Sequence, residues 1–456
     1  MNLKKTLAIA AAAGALAAIS VPAMAFDNEF HGMYRLRAMM SNFENANAAV
    51  VLAKDAPTAS VFEQRARIQY IAKASDDLKL VTHFEIDSSW GDTAYNNGRG
   101  FGGAMGADTV NLETKNVYLD FNCPLTGANF KVGIQPVNDA YKGVFFTDDI
   151  AGIFASKKFG ALTATAGFSR LQDFNRVTSA PTTAGGVAFE TANPTGRNTM
   201  DLYLLDAKFA VSKDLTVGGS YYLVRDNPVG VTFKKTLDVH MIGANVAAKV
   251  GMISFDAFAA YQAGSELVAS PGRDLSAFAG QVAVKVDLAK AGAVRANALY
   301  ASGGKSTDKK AKAWQSLNSG DANTTSSNAY YDSKMVLLMR NVVNMDTDKA
   351  VVQYINNGNR GLTLLTLGYD AAITDKLGAS ANIGYGMASE KQATDKSASL
   401  GTEINAQVDY KLFTNLTASL TGAYVILGDG KKYASNVSTV KLDNPYLASV
   451  MFNYTF

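Results

Sequence analysis

Hydrophobic and polar residues alternate along most of this chain. In its closing sequence, NPYLASVMFNYTF (residues 444–456), apolar and aromatic side chains occupy one parity and polar side chains mostly occupy the other. The apolar parity holds Tyr446, Val450, Phe452, Tyr454 and Phe456. Successive side chains leave opposite faces of a β-strand, so this period of two predicts a strand with one apolar and one polar face.

Eighteen segments repeat this alternation and predict eighteen strands, and a count of sixteen also fits the pattern. Their approximate ranges are 29–39, 61–74, 78–90, 110–122, 128–138, 150–158, 161–172, 199–212, 215–226, 236–249, 252–263, 274–288, 292–302, 361–373, 377–389, 400–413, 416–427 and 444–456. No segment beyond residue 26 has the continuous apolar length of a membrane-spanning helix.

The connections between these segments alternate between short and long. Short ones lie near residues 76, 123, 159, 213, 251, 289, 374 and 414. Longer polar stretches lie at 91–109, 173–198, 303–360 and 428–443. A soluble sandwich has no reason to keep this alternation, whereas a transmembrane barrel has tight turns on its periplasmic rim and larger loops outside. An even number of strands places both chain ends in the periplasm.

Hydrogen bonding gives the physical reason for a barrel. Hydrocarbon offers no water to the backbone groups of an open sheet edge, so each unpaired group costs several kcal/mol. Closing the sheet removes both edges. We therefore predict an all-β fold: a transmembrane, antiparallel, up-and-down β-barrel whose first strand pairs with its last.

The N-terminal sequence predicts export. Lys4 and Lys5 precede an apolar run from Leu7 to Val21, and the small-x-small sequence Ala23-Met24-Ala25 follows. This is the pattern of a secretory signal peptide, and the run is too short for a transmembrane anchor. We expect cleavage after residue 25, which leaves one barrel domain over 26–456 with a long loop at 303–360.

Charge and cysteine content exclude several classes of protein. Loss of the two N-terminal lysines lowers the formal charge from +3 to +1, so no global field favours nucleic acid as a partner. The single cysteine, Cys123, has no intramolecular disulfide partner. No C-x-x-C-H haem motif and no phosphate-binding loop occurs, so we expect no cofactor.

An exported chain that ends on an alternating aromatic strand resembles the bacterial outer-membrane β-barrel porins, and on overall pattern the OmpJ-like porin type of Geobacter. The resemblance implies a water-filled channel in the outer membrane for passive diffusion of ions and small hydrophilic solutes. It also implies surrounding lipid and lipopolysaccharide, a last strand that is recognised by the barrel assembly machinery, and a homotrimer.

Strand parity assigns the side chains that face the predicted channel. The inward basic cluster on the first two strands consists of Arg35, Arg37, Arg65 and Arg67. Inward acidic and imidazole side chains are Glu63, His83, Glu85 and Asp87. Charged residues avoid the lipid face, which fixes this register and predicts a polar interior. The cluster is expected to attract anions.

A structural interpretation of the same residues stays open. A turn near Asp76 places Arg67 opposite Glu85 and Arg65 opposite Asp87. Cross-strand ion pairs of this kind contribute roughly 0.2 to 1 kcal/mol and neutralise each other. In this interpretation the cluster stabilises the barrel wall and has no role in ion selectivity.

Two loops are candidates for narrowing the channel. General porins, which this pattern resembles, set a basic wall against an acidic loop, and the loop after the fifth strand holds Asp139, Asp148 and Asp149. The 303–360 loop contains SKMVLLMRNVVN, which predicts a short helix with Ser333 as its N-cap. This loop is expected to plug or cap the channel, to contact a neighbouring subunit, or to be a mobile external loop.

Other classes of function receive less support. The three histidines, His31, His83 and His240, lie on different strands, which disfavours a Ser/His or Asp/His enzyme and weakens a metal site at His83. Two alternatives to a diffusion channel are a barrel that houses a cytochrome in a trans-envelope electron conduit, and a structural or adhesive barrel.

Overall fold

A computed structural model describes most of the chain. The described residues are 27–43, 54–93, 100–106, 112–173, 182–184, 187–189, 196, 199–227, 236–267, 273–317, 331–339, 350–432 and 442–456. The predicted signal peptide lies outside them. Within these ranges, no helix combines the length and the apolar character that a membrane crossing requires.

Eighteen long strands, β1 to β18, form the wall of the molecule. Their bounds are Asp27–Ser41, Ala59–Ser75, Leu78–Trp90, Glu113–Asn122, Asn129–Asn138, Thr147–Phe159, Leu162–Asp173, Thr199–Ser212, Leu215–Asn227, Leu237–Val250, Ile253–Ser265, Asp274–Asp287, Ala293–Ala301, Leu362–Ala372, Leu377–Met387, Ser399–Phe413, Leu416–Leu427 and Tyr446–Thr455. The prediction of eighteen strands is therefore confirmed, and the alternative count of sixteen is wrong.

Minor elements accompany these long strands in the described residues. Gly100–Gly103 runs parallel to the end of β3, and Thr182–Ala184 pairs with Val187–Phe189. A 3₁₀ turn spans Ala289–Ala291, and a four-residue helix spans Asp429–Lys432. None of them interrupts the strand order.

The sheet closes on itself. Each strand pairs in antiparallel fashion with the next, and β1 pairs with β18 so that Arg35 lies opposite Asn453. Gly32 and Phe456 exchange two backbone hydrogen bonds at 2.9 and 3.1 Å, which completes the seam. The fold is thus the predicted all-β, antiparallel, up-and-down barrel.

The two rims of the barrel differ as the connections predict. Eight connections of two to six residues form the short-turn rim, and nine connections of eight to sixty residues form the long-loop rim. Asp27 pairs with Lys73 beside the first short turn, and Thr455 donates its N–H to Asn415 in the last one. Both described chain ends therefore lie at the short-turn rim, where Cys123 also sits.

The outer face of the wall is apolar. Large side chains of one parity are exposed, among them Leu205, Ile242, Leu367, Ile404 and Leu420. On the last strand, Val450, Phe452 and Tyr454 belong to the same face. Aromatic pairs lie towards both rims, Phe30–Tyr70 near the short turns and Phe62–Trp90 near the long loops. Apolar bands with aromatic residues at both edges are typical of barrels that sit in a bilayer.

The inner face departs from the sequence prediction. We expected a polar interior throughout, yet inward positions near the long-loop rim are apolar and buried on β8 to β14. Examples are Leu202, Tyr222, Met241, Leu299 and Leu364. They pack against loops that fold into the barrel, so these strands carry apolar side chains on both faces.

Candidate functional site

The connection between β5 and β6, residues 139–146, folds into the barrel and is called here the inner loop. The Asp139 carboxylate organises it: one oxygen accepts the N–H groups of Tyr141 and Gly143 at 2.7 and 2.8 Å. Its other oxygen accepts those of Phe145 and Phe146 at 2.7 and 2.8 Å. The loop's tight turn uses positive φ angles at Lys142 and Gly143.

This geometry corrects the prediction for Asp139. We expected its carboxylate to face the channel, but the side chain is buried inside its own loop. Burial raises the pKa of the Asp139 carboxyl to about 6, against the four N–H groups that lower it. Asp139 therefore shapes the loop and leaves the channel's charge to other residues.

The inner loop reaches the wall at strands β9 to β11. The Phe145 ring stacks on Tyr222 of β9 at 5.9 Å, and Tyr141 meets Phe258 of β11 edge-on at 5.4 Å. A Cβ on Gly243 of β10 would lie 2.5 Å from the Tyr141 hydroxyl, so glycine leaves the space that this ring occupies. Eight residues therefore suffice to cross to β9–β11.

The long loop between β13 and β14 also enters the barrel. Trp314 is fully buried, and its indole N–H donates to the Val144 carbonyl at 2.9 Å. Ser316 donates to the same carbonyl at 2.8 Å, and Asn356 donates to the Trp314 carbonyl at 2.8 Å. The described parts of this loop, 302–317, 331–339 and 350–361, join the inner loop in one apolar body, called here the plug.

One part of the plug, residues 331–339, is called here the pore segment. The predicted helix is absent from these residues, and 340–349 lie outside the described chain. The N–H groups of 336–338 are taken by the Glu403 carboxylate of β16, so they are not available to helical carbonyls. The carbonyls of Leu337 and Leu338 accept instead from Val351 and Val352. Ser333 accepts from the N–H of Met335 within a bend.

The predicted basic cluster lies on β1 and β2, and ion pairs neutralise most of it. Arg65 donates twice to Asp87, at 2.7 and 2.6 Å, where the first short turn places it. Arg67 pairs with Glu85. On the neighbouring pair of strands, the guanidinium of Arg37 contacts the carboxylate of Glu63.

Arg35 occupies the seam of the barrel. Its Nε donates to Asn453 at 3.3 Å, and its register partner on β2 is Arg65. On this wall, ion pairs join Arg37, Arg65 and Arg67 to the carboxylates of Glu63, Glu85 and Asp87. The structural interpretation of the cluster therefore describes these three arginines.

The remaining predicted side chains form a second polar network. His83 of β3 contacts the Asn116 amide oxygen at 3.1 Å, and Asn116 donates to Asp149 at 2.7 Å. Lys115 completes the group with an ion pair to Asp149. Asp148 accepts the N–H of Asp149 at 2.8 Å. His83 thus contacts Asn116, whereas Glu85 and Asp87 both contact Arg65.

Sequence reasoning missed a large cavity that lies between the pore segment and the short-turn rim. This cavity, called here the vestibule, has a volume of about 1330 Å³ and is lined by β12–β17. The charged residues that line it are Lys285, Asp287, Lys290, Arg295, Asp332, Lys334, Asp370, Asp375, Lys376, Asp409 and Lys411. Arg295 donates twice to Asp370, at 2.6 and 2.7 Å. The inward parity of charged residues on β12–β16 was the available signal.

No family model and no curated protein matches this sequence. Solved barrels do match in structure. OpdL of Pseudomonas aeruginosa superimposes with a TM-score of 0.56 at 14% identity, covering 94% of this chain and 99% of that one. The outer membrane protein OpdK of the same organism gives 0.54 at 11%, covering 94% and 99%. OccAB4 of Acinetobacter baumannii gives 0.52 at 12%, covering 94% and 98%. The chain therefore shares its barrel fold with OpdL, OccAB4 and the outer membrane protein OpdK.

Proposed function

We propose that this protein is an outer-membrane channel for the passive diffusion of ions and small hydrophilic solutes. The observation that carries the proposal is a closed barrel with an apolar, aromatic-edged exterior around a polar vestibule of about 1330 Å³. A barrel of this strand number is too wide for its own wall side chains to fill. The fold shared with OpdK supports an outer-membrane location.

The plug sets the class of solute. Inner loop and long loop fill much of the half near the long-loop rim with apolar side chains. Among the described residues, the space beside these loops is left for water, so the channel admits small solutes and excludes large ones. The same filling argues against the alternative of a barrel that houses a cytochrome, because the plug occupies the room that such a partner needs.

Processing and assembly belong to the same proposal. The signal peptide is removed after residue 25, both termini face the periplasm, and the barrel assembly machinery recognises β18. Lipopolysaccharide and lipid surround the barrel, and three copies associate. Mass spectrometry of the purified protein tests the first statement through an N-terminus at Phe26, and chemical cross-linking in native membranes tests the trimer.

Liposome swelling tests the channel itself. Liposomes that contain the folded protein should swell in isosmotic solutions of small neutral solutes, and the rate should fall steeply as the solute grows. Liposomes with heat-unfolded protein are the control. Swelling no faster than in this control would leave a structural or adhesive barrel as the better interpretation.

Arg35 gives the channel a weak preference for anions in this proposal. Arg35 lies on the inward face of the seam, where its Nε donates to Asn453 and the like-charged Arg65 is its register partner on β2. Arg35→Glu should shift the reversal potential in a salt gradient towards cation selectivity. Lys213→Glu, an exposed change in a short turn, should leave it unchanged. An unchanged reversal potential in the Arg35 variant would remove Arg35 from the selectivity mechanism.

A further inference from the structure

We infer that Glu403 is a positioning residue that fixes the pore segment and so sets the width and charge of the channel. The inference rests on the proposed channel function. It concerns a wall residue that shapes the channel through the backbone of a loop, and that residue is itself fully buried.

Glu403 binds the pore segment through backbone groups alone. One carboxylate oxygen accepts the Val336 N–H at 2.7 Å and the Asn405 amide at 2.6 Å. The other accepts the N–H groups of Leu337, at 2.8 Å, and Leu338. Bonds from backbone donors to an ionised acceptor are about twice as strong as neutral ones, and three of them in succession fix the path of the chain.

The wall beside Glu403 is shaped to receive the segment. A Cβ on Gly384 of β15 would lie 2.3 Å from the Met335 sulfur, and one on Gly386 would lie 3.5 Å from Leu338. Asn405, one inward position along β16, donates to the Lys334 carbonyl at 3.0 Å. The segment is therefore held by inward positions of two neighbouring strands, β15 and β16.

This attachment places two charges at the vestibule. Asp332 and Lys334 pair with each other, and each side chain is about half exposed. Both line the vestibule together with Arg295 and Asp370 of the wall. The Tyr331 hydroxyl donates to Asn297 at 2.9 Å and anchors the start of the segment. Release of 336–338 would withdraw these charges and widen the space beside the plug.

Glu403→Gln tests the inference. Glutamine keeps the volume of the side chain but has one acceptor oxygen, and its NH₂ group faces N–H donors that it cannot satisfy. We expect a higher single-channel conductance, more frequent transitions between current levels and a shifted reversal potential. Asp409→Asn is the matched control, because it removes a carboxylate from the same strand and the same vestibule. The partners of the Asp409 carboxylate are the side chains of Gln407 and Ser419, not the pore segment.

A double-variant cycle separates positioning from a direct effect of the lost charge. Replacement of 332–338 by a Gly-Ser linker should itself raise conductance, and Glu403→Gln should add nothing in that background. The inference would be overturned if Glu403→Gln and Asp409→Asn changed conductance and reversal potential equally. It would also be overturned if Glu403→Gln had the same effect in the wild-type protein and in the linker variant.

Two further outcomes are informative. If Glu403→Gln fails to give the folded, heat-modifiable band on electrophoresis, Asn405→Ala replaces it, because this variant loses the bond to Lys334 and keeps the Glu403 carboxylate. A smaller change in the same direction supports the inference, and wild-type conductance contradicts it. A wild-type protein that does not conduct refutes the proposed channel, whereas a conducting protein with unchanged variants refutes only the role of Glu403.

Discussion

At the scale of single residues, buried carboxylates organise the interior by accepting backbone N–H groups. Asp139 takes four of them within its own loop, and Glu403 takes three from a loop more than sixty residues away in sequence. A carboxylate offers two oxygens with about four lone-pair sites, so it satisfies several N–H groups at once. Such a carboxylate can therefore fix the path of a loop that forms no helix or strand of its own.

Replacement of Asp139 by alanine should destabilise the inner loop. All four N–H groups then lose their acceptor, at a cost of roughly 1–3 kcal/mol each. The expected result is a lower midpoint of unfolding in detergent, measured from the change in electrophoretic mobility. Asp76→Asn, at an exposed turn carboxylate, is the control and should leave the midpoint unchanged. An equal midpoint in both variants would contradict the role of Asp139.

The same residue predicts a pH dependence. Burial raises the pKa of the Asp139 carboxyl from 3.8 to about 6, so the folded state binds this proton more tightly than the unfolded state. Its contribution to stability is full below about pH 4 and is lost as the pH rises through about 6, by roughly 3 kcal/mol in total. Between pH 4 and 7 the wild-type midpoint should therefore fall relative to Asp139→Asn, and parallel curves would exclude this pKa.

At the scale of elements, alternation predicts the strands and says little about the loops. All eighteen strands follow from the period of two, and the first short turn predicts the Arg65–Asp87 pair. The pore segment has no such period. Its apolar residues Leu337 and Leu338 are buried against wall positions distant in sequence, so a helical interpretation of the local pattern was wrong.

The position of the plug had a weaker signal in the sequence. An apolar run, VLLM at 336–339, lies inside a long polar loop and requires burial somewhere. Inward glycines at 384 and 386 leave the matching space on β15, but a glycine in a strand also marks a bulge or a bend. Neither observation identifies the other as its partner without the three-dimensional structure.

Gly384→Val should expel the pore segment from its place on the wall. The new side chain would occupy the position of the Met335 sulfur, while valine itself suits a strand. Trypsin should then cut the folded protein after Lys334, a bond that is shielded inside the wild-type barrel. Gly422→Val on β17 is the control, because a Cβ there meets nothing within 4 Å. Absence of this cut in the Gly384 variant would show that the segment does not depend on the glycine.

At the scale of the whole molecule, the interior divides into an apolar plug and polar surfaces around it. The plug rests on β8–β14 and β15–β16 near the long-loop rim. Paired charges cover β1–β3, and the vestibule opens below the pore segment. This division explains why a chain with an apolar exterior and a partly apolar interior still has a mean hydropathy of −0.01.

Single-channel recording in planar bilayers tests the central claim most directly, namely that water and ions cross this barrel beside its plug. Folded wild-type protein should give discrete, ohmic current steps, and the variant in which a linker replaces 332–338 should give larger ones. Folded protein that inserts into the bilayer and yields no current steps would contradict the account.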